Sequence, residues 1–66
     1  MLISKRAIEI EMARKQISLT DISVKTGISI KTLSNAVHRQ RTMPVTLGKI
    51  AAALGVDPEL LLRKEA

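Results

Sequence analysis

The chain of 66 residues contains no cysteine and no Phe, Trp or Tyr. Without cysteine it has neither disulfides nor thiolate metal sites. Without aromatic residues, Leu, Ile, Val, Met and Ala must build the core, and hydrophobic residues are 45% of the chain, which is enough for one. A chain of this length forms a single domain, residues 1–66, and buries only about 60% of its unfolded surface.

Long apolar runs are also lacking. The longest, residues 50–56, is interrupted by a glycine and is too short to cross a bilayer. The basic pair Lys5 and Arg6 is followed by Glu9 and Glu11 rather than by an apolar segment, which argues against a secretory signal. We therefore expect a cytoplasmic protein that does not contact membranes.

Acidic residues are absent from Ile22 to Val56, which we call the basic window. The net charge of the chain is +5, and outside the window six basic residues face six acidic ones, so the whole excess lies inside it. A locally positive field suits a polyanion, and nucleic acid is the one we expect. The alternative is that the lysines merely solubilise the helices. The cations of the window are Lys25, Lys31, Arg39, Arg41 and Lys49.

Residue patterns typical of catalysis are lacking as well. The single histidine has no carboxylate partner at a recognisable spacing, and the chain has neither a glycine-rich phosphate loop nor a cluster of metal ligands. We therefore expect no enzymatic activity, no cofactor, no metal and no small-molecule ligand.

Caps and helix breakers divide the chain into five short helices, and no segment alternates as a strand does, so the predicted fold is all-α. Ser18 and Asp21 form a capping-box pattern, and Ser29 precedes the third helix. Pro44 bars a helix through the preceding loop, so Thr46 is predicted to cap the fourth helix. The predicted helices are Ser4–Lys15, Ser18–Thr26, Ile30–His38, Leu47–Leu54 and a fifth that starts at Glu59.

The second and third helices are joined by Gly-Ile-Ser, which is a helix-turn-helix arrangement. Gly27 supplies the left-handed conformation that ends the second helix. Ser23 is small and lets the third helix cross closely, while Leu33 and Val37 turn inward from that helix at a spacing of i and i+4. The outer face of the third helix is then polar.

Three stretches of the chain are similar to Cro/CI-type helix-turn-helix domains of phage repressors and small bacterial regulators, the XRE family. They are SLTDISVKTGIS, IKTLSNAV and PVTLGKIAAALGVDPELLL, and the similarity extends from about Ile8 to Leu62. The resemblance implies a compact five-helix, lambda-repressor-like fold whose third helix enters the DNA major groove. It also implies sequence-specific binding to a double-stranded DNA operator, and we expect a small transcriptional repressor.

The resemblance further implies which residues meet the bases. These are the first two residues of the third helix and another one turn on, namely Ile30, Lys31 and Asn35, with Thr32 and Ser34 flanking them. Lys31 can donate to guanine, Asn35 can pair with adenine, and Ile30 can contact a thymine methyl group. The alternative is that these side chains merely face solvent.

Phosphate contacts are expected from residues that flank the groove. The residues that follow the third helix are basic or polar, and helix N-termini donate N–H groups to phosphates in addition to their caps. The alternative is a solvated loop. The expected set is Ser18, Ser29, His38, Arg39, Gln40, Arg41, Thr46 and Lys49.

Two departures from the family pattern are visible. Leu19 stands where many members have a glutamine that braces a DNA contact. Met12 and Val37 stand where the family often has a buried Arg–Glu pair, so we expect an apolar contact there, at little or no cost in stability.

We also expect a homodimer, because one helix-turn-helix reads only a few base pairs. The preferred pairing surface is the terminal helix, with three consecutive leucines, and the other candidate is the side of the first helix that carries Ile3, Ile10 and Ala13. A helical protein-interaction or antitoxin-like module without specific DNA binding is the alternative function. The residues predicted to be buried are Ile22, Leu33, Ile50, Leu54 and Leu61.

Overall fold

The computed structural model describes residues 1–64 of the chain. They form four α-helices and a closing 3₁₀ turn, so the all-α prediction is confirmed. The fifth predicted helix is only this single turn, in which the Asp57 side chain accepts from the N–H of Glu59. The elements are α1 (Lys5–Lys15), α2 (Leu19–Thr26), α3 (Ile30–Arg39), α4 (Pro44–Leu54) and the 3₁₀ turn (Pro58–Leu61).

The first three helices start at the serines that the sequence indicates. The hydroxyl groups of Ser4, Ser18 and Ser29 each accept a hydrogen bond from a backbone N–H in the first turn. Ser18 and Asp21 form a complete capping box. These starts are predictable because a cap is a local interaction of three or four residues.

Helix α4 begins three residues before the predicted start. Its first residue is Pro44, and its N-cap, Met43, makes no side-chain hydrogen bond, so the prediction that Thr46 caps this helix is wrong. Proline lacks an N–H and has a fixed φ, and both properties suit the first position of a helix. Pro44, which the sequence predicts to be a barrier to a helix, is therefore the residue that starts α4.

All four helices end in the left-handed conformation. Gly27 supplies it after α2, as predicted, with φ of 75°. Gln16 and Gln40 adopt it without being glycine, with φ of 53° and 54°. This conformation costs a residue with a side chain about 1–2 kcal/mol. At Gln40 the side-chain oxygen also accepts from the N–H of Lys5, which fixes the loop to the start of α1.

The core is aliphatic, and no polar side chain of the described residues is buried. All five residues predicted to be buried lie in it. Met12 and Val37, which are predicted to meet, both pack at its edge and line one cleft between α1 and α3. No helix in the described part of the chain is long and apolar enough to cross a membrane. The buried set is Ile3, Ile8, Ile22, Leu33, Leu47, Ile50, Ala51, Leu54 and Leu61.

Three distant segments meet beside the helices, residues 1–4, 40–42 and 61–63, and we call them the terminal ribbon. Ile3 is fully buried and forms an antiparallel bridge with Leu62, which packs against the core. Ile3 therefore cannot belong to an exposed pairing surface on α1, contrary to the expectation from sequence. Of the three consecutive leucines, Leu61 is buried and only Leu60 is largely exposed, at 60%.

Candidate nucleic-acid interface

Hydroxyl groups fix the turn between α2 and α3. The Ser23 hydroxyl donates to the carbonyl of Ile28 at 2.6 Å. The Thr26 hydroxyl donates to the carbonyl of Ile22 at 2.7 Å and accepts from the N–H of Ile28 at 3.2 Å. Both backbone groups of Ile28 are thus bonded to side chains of α2, which holds the start of α3 in place. The sequence did not predict these bonds, and it indicated for Ser23 only that a small side chain lets α3 cross closely.

The outward face of α3 is polar and free of acidic residues. Leu33 is fully buried and marks the inward side. Because successive residues turn by about 100°, Lys31, Asn35 and His38 fall within an arc of about 60° on the opposite side. All three are exposed, and Ile30 is 46% exposed in the first turn. The structure thus places the sequence-predicted Lys31 and Asn35 together on one face, which His38 shares.

Ser29 and Thr32 are coupled at the start of α3. The Ser29 oxygen accepts from the Thr32 N–H at 3.2 Å, and the Ser29 hydroxyl donates to the Thr32 oxygen at 2.8 Å. The Thr32 hydroxyl hydrogen is then left as a donor for another partner. Both residues are exposed.

A cleft of about 220 Å³ separates α3 from α1. Ser34 and His38 line it from α3, and Lys5 and Glu9 line it from α1. Leu19 lies in the same cleft and packs against the edge of the core. Ser34 is therefore on the side of the outward face that is nearest to α1.

The start of α2 carries both a cap and a negative charge. The Ser18 N–H donates to the Asp21 carboxylate at 2.9 Å, and the Asp21 N–H donates to the Ser18 hydroxyl at 3.1 Å. The backbone and then the side-chain hydrogen bonds from Ser18, with a smaller effect of Lys25, hold the pKa of Asp21 below its ordinary value. A phosphate at this helix start would accept from first-turn N–H groups beside an ionised carboxylate.

Two arginines flank an anchored glutamine at the end of α3. Arg39 is the last residue of α3, one residue beyond the predicted end of the helix, and Arg41 follows Gln40 in the loop. Arg39 and Arg41 are exposed. Gln40 is half-buried, because its side-chain oxygen accepts from Lys5 and its carbonyl accepts from the N–H of Ile3 at 2.9 Å. Gln40 therefore anchors the loop, and its neighbours on either side extend to solvent.

The start of α4 has no side-chain cap. No side chain accepts from its first-turn N–H groups, which include that of Thr46. Met43 and Val45 are 72% and 71% exposed at this end of the helix. Thr46 thus contributes its backbone N–H at a helix start without a side-chain cap, a few residues after Arg41.

Lys49 lies further along α4 and lines a cleft of about 420 Å³ together with Lys25. Thr26, at the end of α2, lines the same cleft. Lys49 therefore shares this cleft with Lys25, a second cation of the basic window that lies in the helix-turn-helix.

Groups that could hold a metal ion are not found in the described part of the chain, where no three His, Asp or Glu residues lie together. The described surface offers hydrogen-bond donors and positive charge instead. Donors of this kind suit the acceptors on base edges and on a phosphate backbone.

A family model described as the Cro/C1-type HTH DNA-binding domain matches residues 7–65. The match includes α2, α3 and α4 completely, together with the 3₁₀ turn. Comparison with curated proteins gives no match, and comparison with solved structures gives none.

Proposed function

Because the chain belongs to the family of Cro/C1-type helix-turn-helix DNA-binding domains, we propose that it recognises a specific duplex sequence with α3 and represses transcription at the site it occupies. The observation that carries this proposal is the outward face of α3, which is exposed, polar and free of acidic residues. An α-helix fits the major groove of B-DNA, where each base pair has a distinct pattern of donors and acceptors. A domain bound at a promoter excludes polymerase from the same DNA.

In this proposal α3 reads the bases. Lys31 donates to O6 and N7 of a guanine, Asn35 makes two hydrogen bonds to an adenine, and Ile30 contacts a thymine methyl group. Thr32 supplies its free hydroxyl hydrogen, and Ser34 flanks the set on the side of α1. The hydrogen-bonded turn at Ile28 supports these roles, since it sets the position of the first turn of α3.

Residues around this face hold the phosphates. Arg39 and Arg41 have the strongest support, because they are exposed cations at the end of α3. A phosphate at Ser18 gains least, since it would lie near the Asp21 carboxylate. Gln40 acts by anchoring the loop as well as by any direct contact. The proposed set is Ser18, Ser29, His38, Arg39, Gln40, Arg41, Thr46 and Lys49.

The test of sequence recognition starts with selection of a binding site from random duplexes. Asn35→Ala should then cost about 1–3 kcal/mol of binding and relax the preference at one base position. Arg39→Ala with Arg41→Ala should weaken binding to every sequence and lower the salt slope by roughly 2 units, since about 0.9 counterions are released per phosphate contact.

The result that contradicts the proposal is equally clear. If no sequence is enriched and the wild-type protein does not shift mixed-sequence DNA at low salt, the domain does not act through DNA. The helical protein-interaction or antitoxin-like module is then the better description.

We propose further that the domain binds as a homodimer, because two recognition helices about one helical turn apart read enough sequence for a specific site. Leu60 is the leucine of the 3₁₀ turn that remains exposed to a partner, at 60%. Ile10 and Ala13 are exposed on α1. The third residue of that predicted surface, Ile3, is buried and cannot contact a partner. The 3₁₀ turn is therefore the pairing surface that we prefer.

A further inference from the structure

The terminal ribbon pairs its central segment with a second segment on each side. Leu2 forms an antiparallel bridge with Arg41, and the N–H of Ile3 donates to the carbonyl of Gln40 at 2.9 Å. On the other edge, the N–H of Arg63 donates to the carbonyl of Leu2 at 3.1 Å. Leu2 therefore lies opposite an arginine on both sides.

The register places the two arginines on one face of the ribbon. Side chains alternate between the faces of an extended segment, and residues directly opposite each other share a face. Arg41, Leu2 and Arg63 thus share the outer face. Burial agrees with this arrangement, because both arginines are exposed while Ile3, next to Leu2, is fully buried.

The spacing of the two arginines suits a phosphate backbone. Neighbouring segments lie about 4.8 Å apart, so the backbones of Arg41 and Arg63 are separated by roughly 10 Å, with Leu2 between them. One strand of DNA carries a charge about every 3.4 Å along its axis. Two long side chains that start at this separation can reach neighbouring phosphates of one strand.

Neither arginine of this face is held in an ion pair within the described residues. Within the described residues, ion pairs are limited to Glu11 with Arg14 and with Lys15. Arg63 lines a cleft with Asp57 and Glu59 but forms no ion pair with either of them. In the sequence Arg63 lies outside the basic window, where acidic and basic residues are equal in number. In the structure it lies across Leu2 from Arg41, which belongs to the window.

We propose that Arg41 and Arg63 form a two-arginine clamp on the phosphate backbone of duplex DNA, assembled by the terminal ribbon at the edge of the site read by α3. The proposal rests on the proposed function and adds Arg63 to it. Arginine suits the role because its planar fork of donors matches phosphate oxygens in pairs. Such a clamp carries no sequence information and contributes affinity and position.

Salt-dependent binding of purified variants to duplex DNA tests the clamp. Arg63→Ala should lower the slope of log affinity against log salt by about 0.9 units, on the selected site and on mixed sequence alike. When salt is raised from 50 to 200 mM, the variant should therefore lose affinity by a factor about 3.5 times smaller than the wild type does. Arg63→Lys should keep the slope and lose part of the affinity. Arg14→Ala, which removes an equal charge from a residue paired with Glu11 on α1, should match the wild type.

The side chain of Arg63 takes no part in the ribbon hydrogen bonds, which come from its backbone, so these variants should fold. Should Arg63→Ala prove unstable, Arg63→Gln carries the same expectation with most of the side-chain stem retained. If removal of the Arg63 charge leaves the slope unchanged while Arg41→Ala lowers it, the clamp is overturned and the proposed function stands. If the wild type shows no salt-dependent binding at all, both are overturned.

Discussion

Asp21 has two opposing effects at the scale of a single residue. Its carboxylate accepts from the Ser18 N–H and completes the capping box that starts α2. The same charge lies where a phosphate would approach the start of this helix. The cap therefore stabilises the start of α2 and makes it less favourable to an anion than the start of α4, which has no side-chain cap.

Acidification should reveal the stabilising effect of Asp21. Its folded-state pKa lies below the unfolded value of roughly 4, so the stabilisation is complete above that value and is lost as the pH falls through the folded-state pKa. Asp21→Asn should thus be less stable than the wild type near neutral pH, and the difference should vanish in strong acid. Thermal unfolding followed by circular dichroism across this range measures it, and parallel curves for the two proteins would contradict the assignment.

Single-residue features were predictable where the interaction is local. The caps at Ser4, Ser18 and Ser29 and the end of α2 at Gly27 follow from the sequence because each involves neighbours along the chain. The left-handed ends at glutamines had no such signal, since glutamine rarely adopts that conformation. The prediction for Thr46 is wrong because threonine is a common N-cap, whereas α4 begins at Pro44 and uses Met43, which lacks a capping side chain.

At the scale of elements, the joint between α2 and α3 depends on two hydroxyl groups. Ser23 and Thr26 satisfy both backbone groups of Ile28, which lies between the helices. A joint held by side chains restricts the angle between the helices, and that angle determines how the outward face of α3 is presented. The sequence predicted the two helices and the glycine, but not the bonds that fix their angle.

Ser23→Ala should weaken this joint. The Ile28 carbonyl would lose its partner, and a part-buried carbonyl left unpaired costs about 1–2 kcal/mol. Thr20→Ala, an exposed hydroxyl on the same helix, should change the free energy of unfolding by no more than about 0.5 kcal/mol. Urea unfolding followed by circular dichroism compares them, and equal stability of the two variants would argue against the joint.

Met12 and Val37, which stand where the family often has a buried Arg–Glu pair, belong to two different helices, α1 and α3. Both residues are half-buried and line the cleft between α1 and α3. Apolar side chains at these two positions leave no charge to desolvate. Their direct contact stays a prediction.

For the molecule as a whole, the positive surface is larger than the basic window. The absence of acidic residues from the window was evident in the sequence and predicted a nucleic-acid partner, while the resemblance to the family came from three stretches of residues. The contribution of Arg63 was not evident, since its neighbour Arg41 is more than 20 positions away and pairing through Leu2 has no local pattern. The buried Ile3 was misassigned for the same reason.

Leu60 should control assembly of the whole molecule. Leu60→Glu should lower dimer content and affinity for a palindromic site with little loss of stability, because this side chain is 60% exposed. Leu62→Glu should instead destabilise the monomer, since Leu62 packs against the core. Sedimentation of each variant, alone and with the duplex, separates the two effects. A wild type that stays monomeric at high concentration on a palindromic site would refute the dimer.

The terminal ribbon also has a consequence for the order of folding. Its pairing of Ile3 with Leu62 closes a loop of about 60 residues, which costs roughly 4 kcal/mol of chain entropy before any contact is gained. The hydroxyl bonds of the turn between α2 and α3 join residues at most five positions apart, for which the same relation gives only about 1–1.5 kcal/mol. We therefore expect α3 to pack on α2 early in folding and the ribbon to be among the last contacts to form. A nascent or partly unfolded chain would hold Arg41 and Arg63 far apart, so the proposed clamp would exist only in the fully folded molecule.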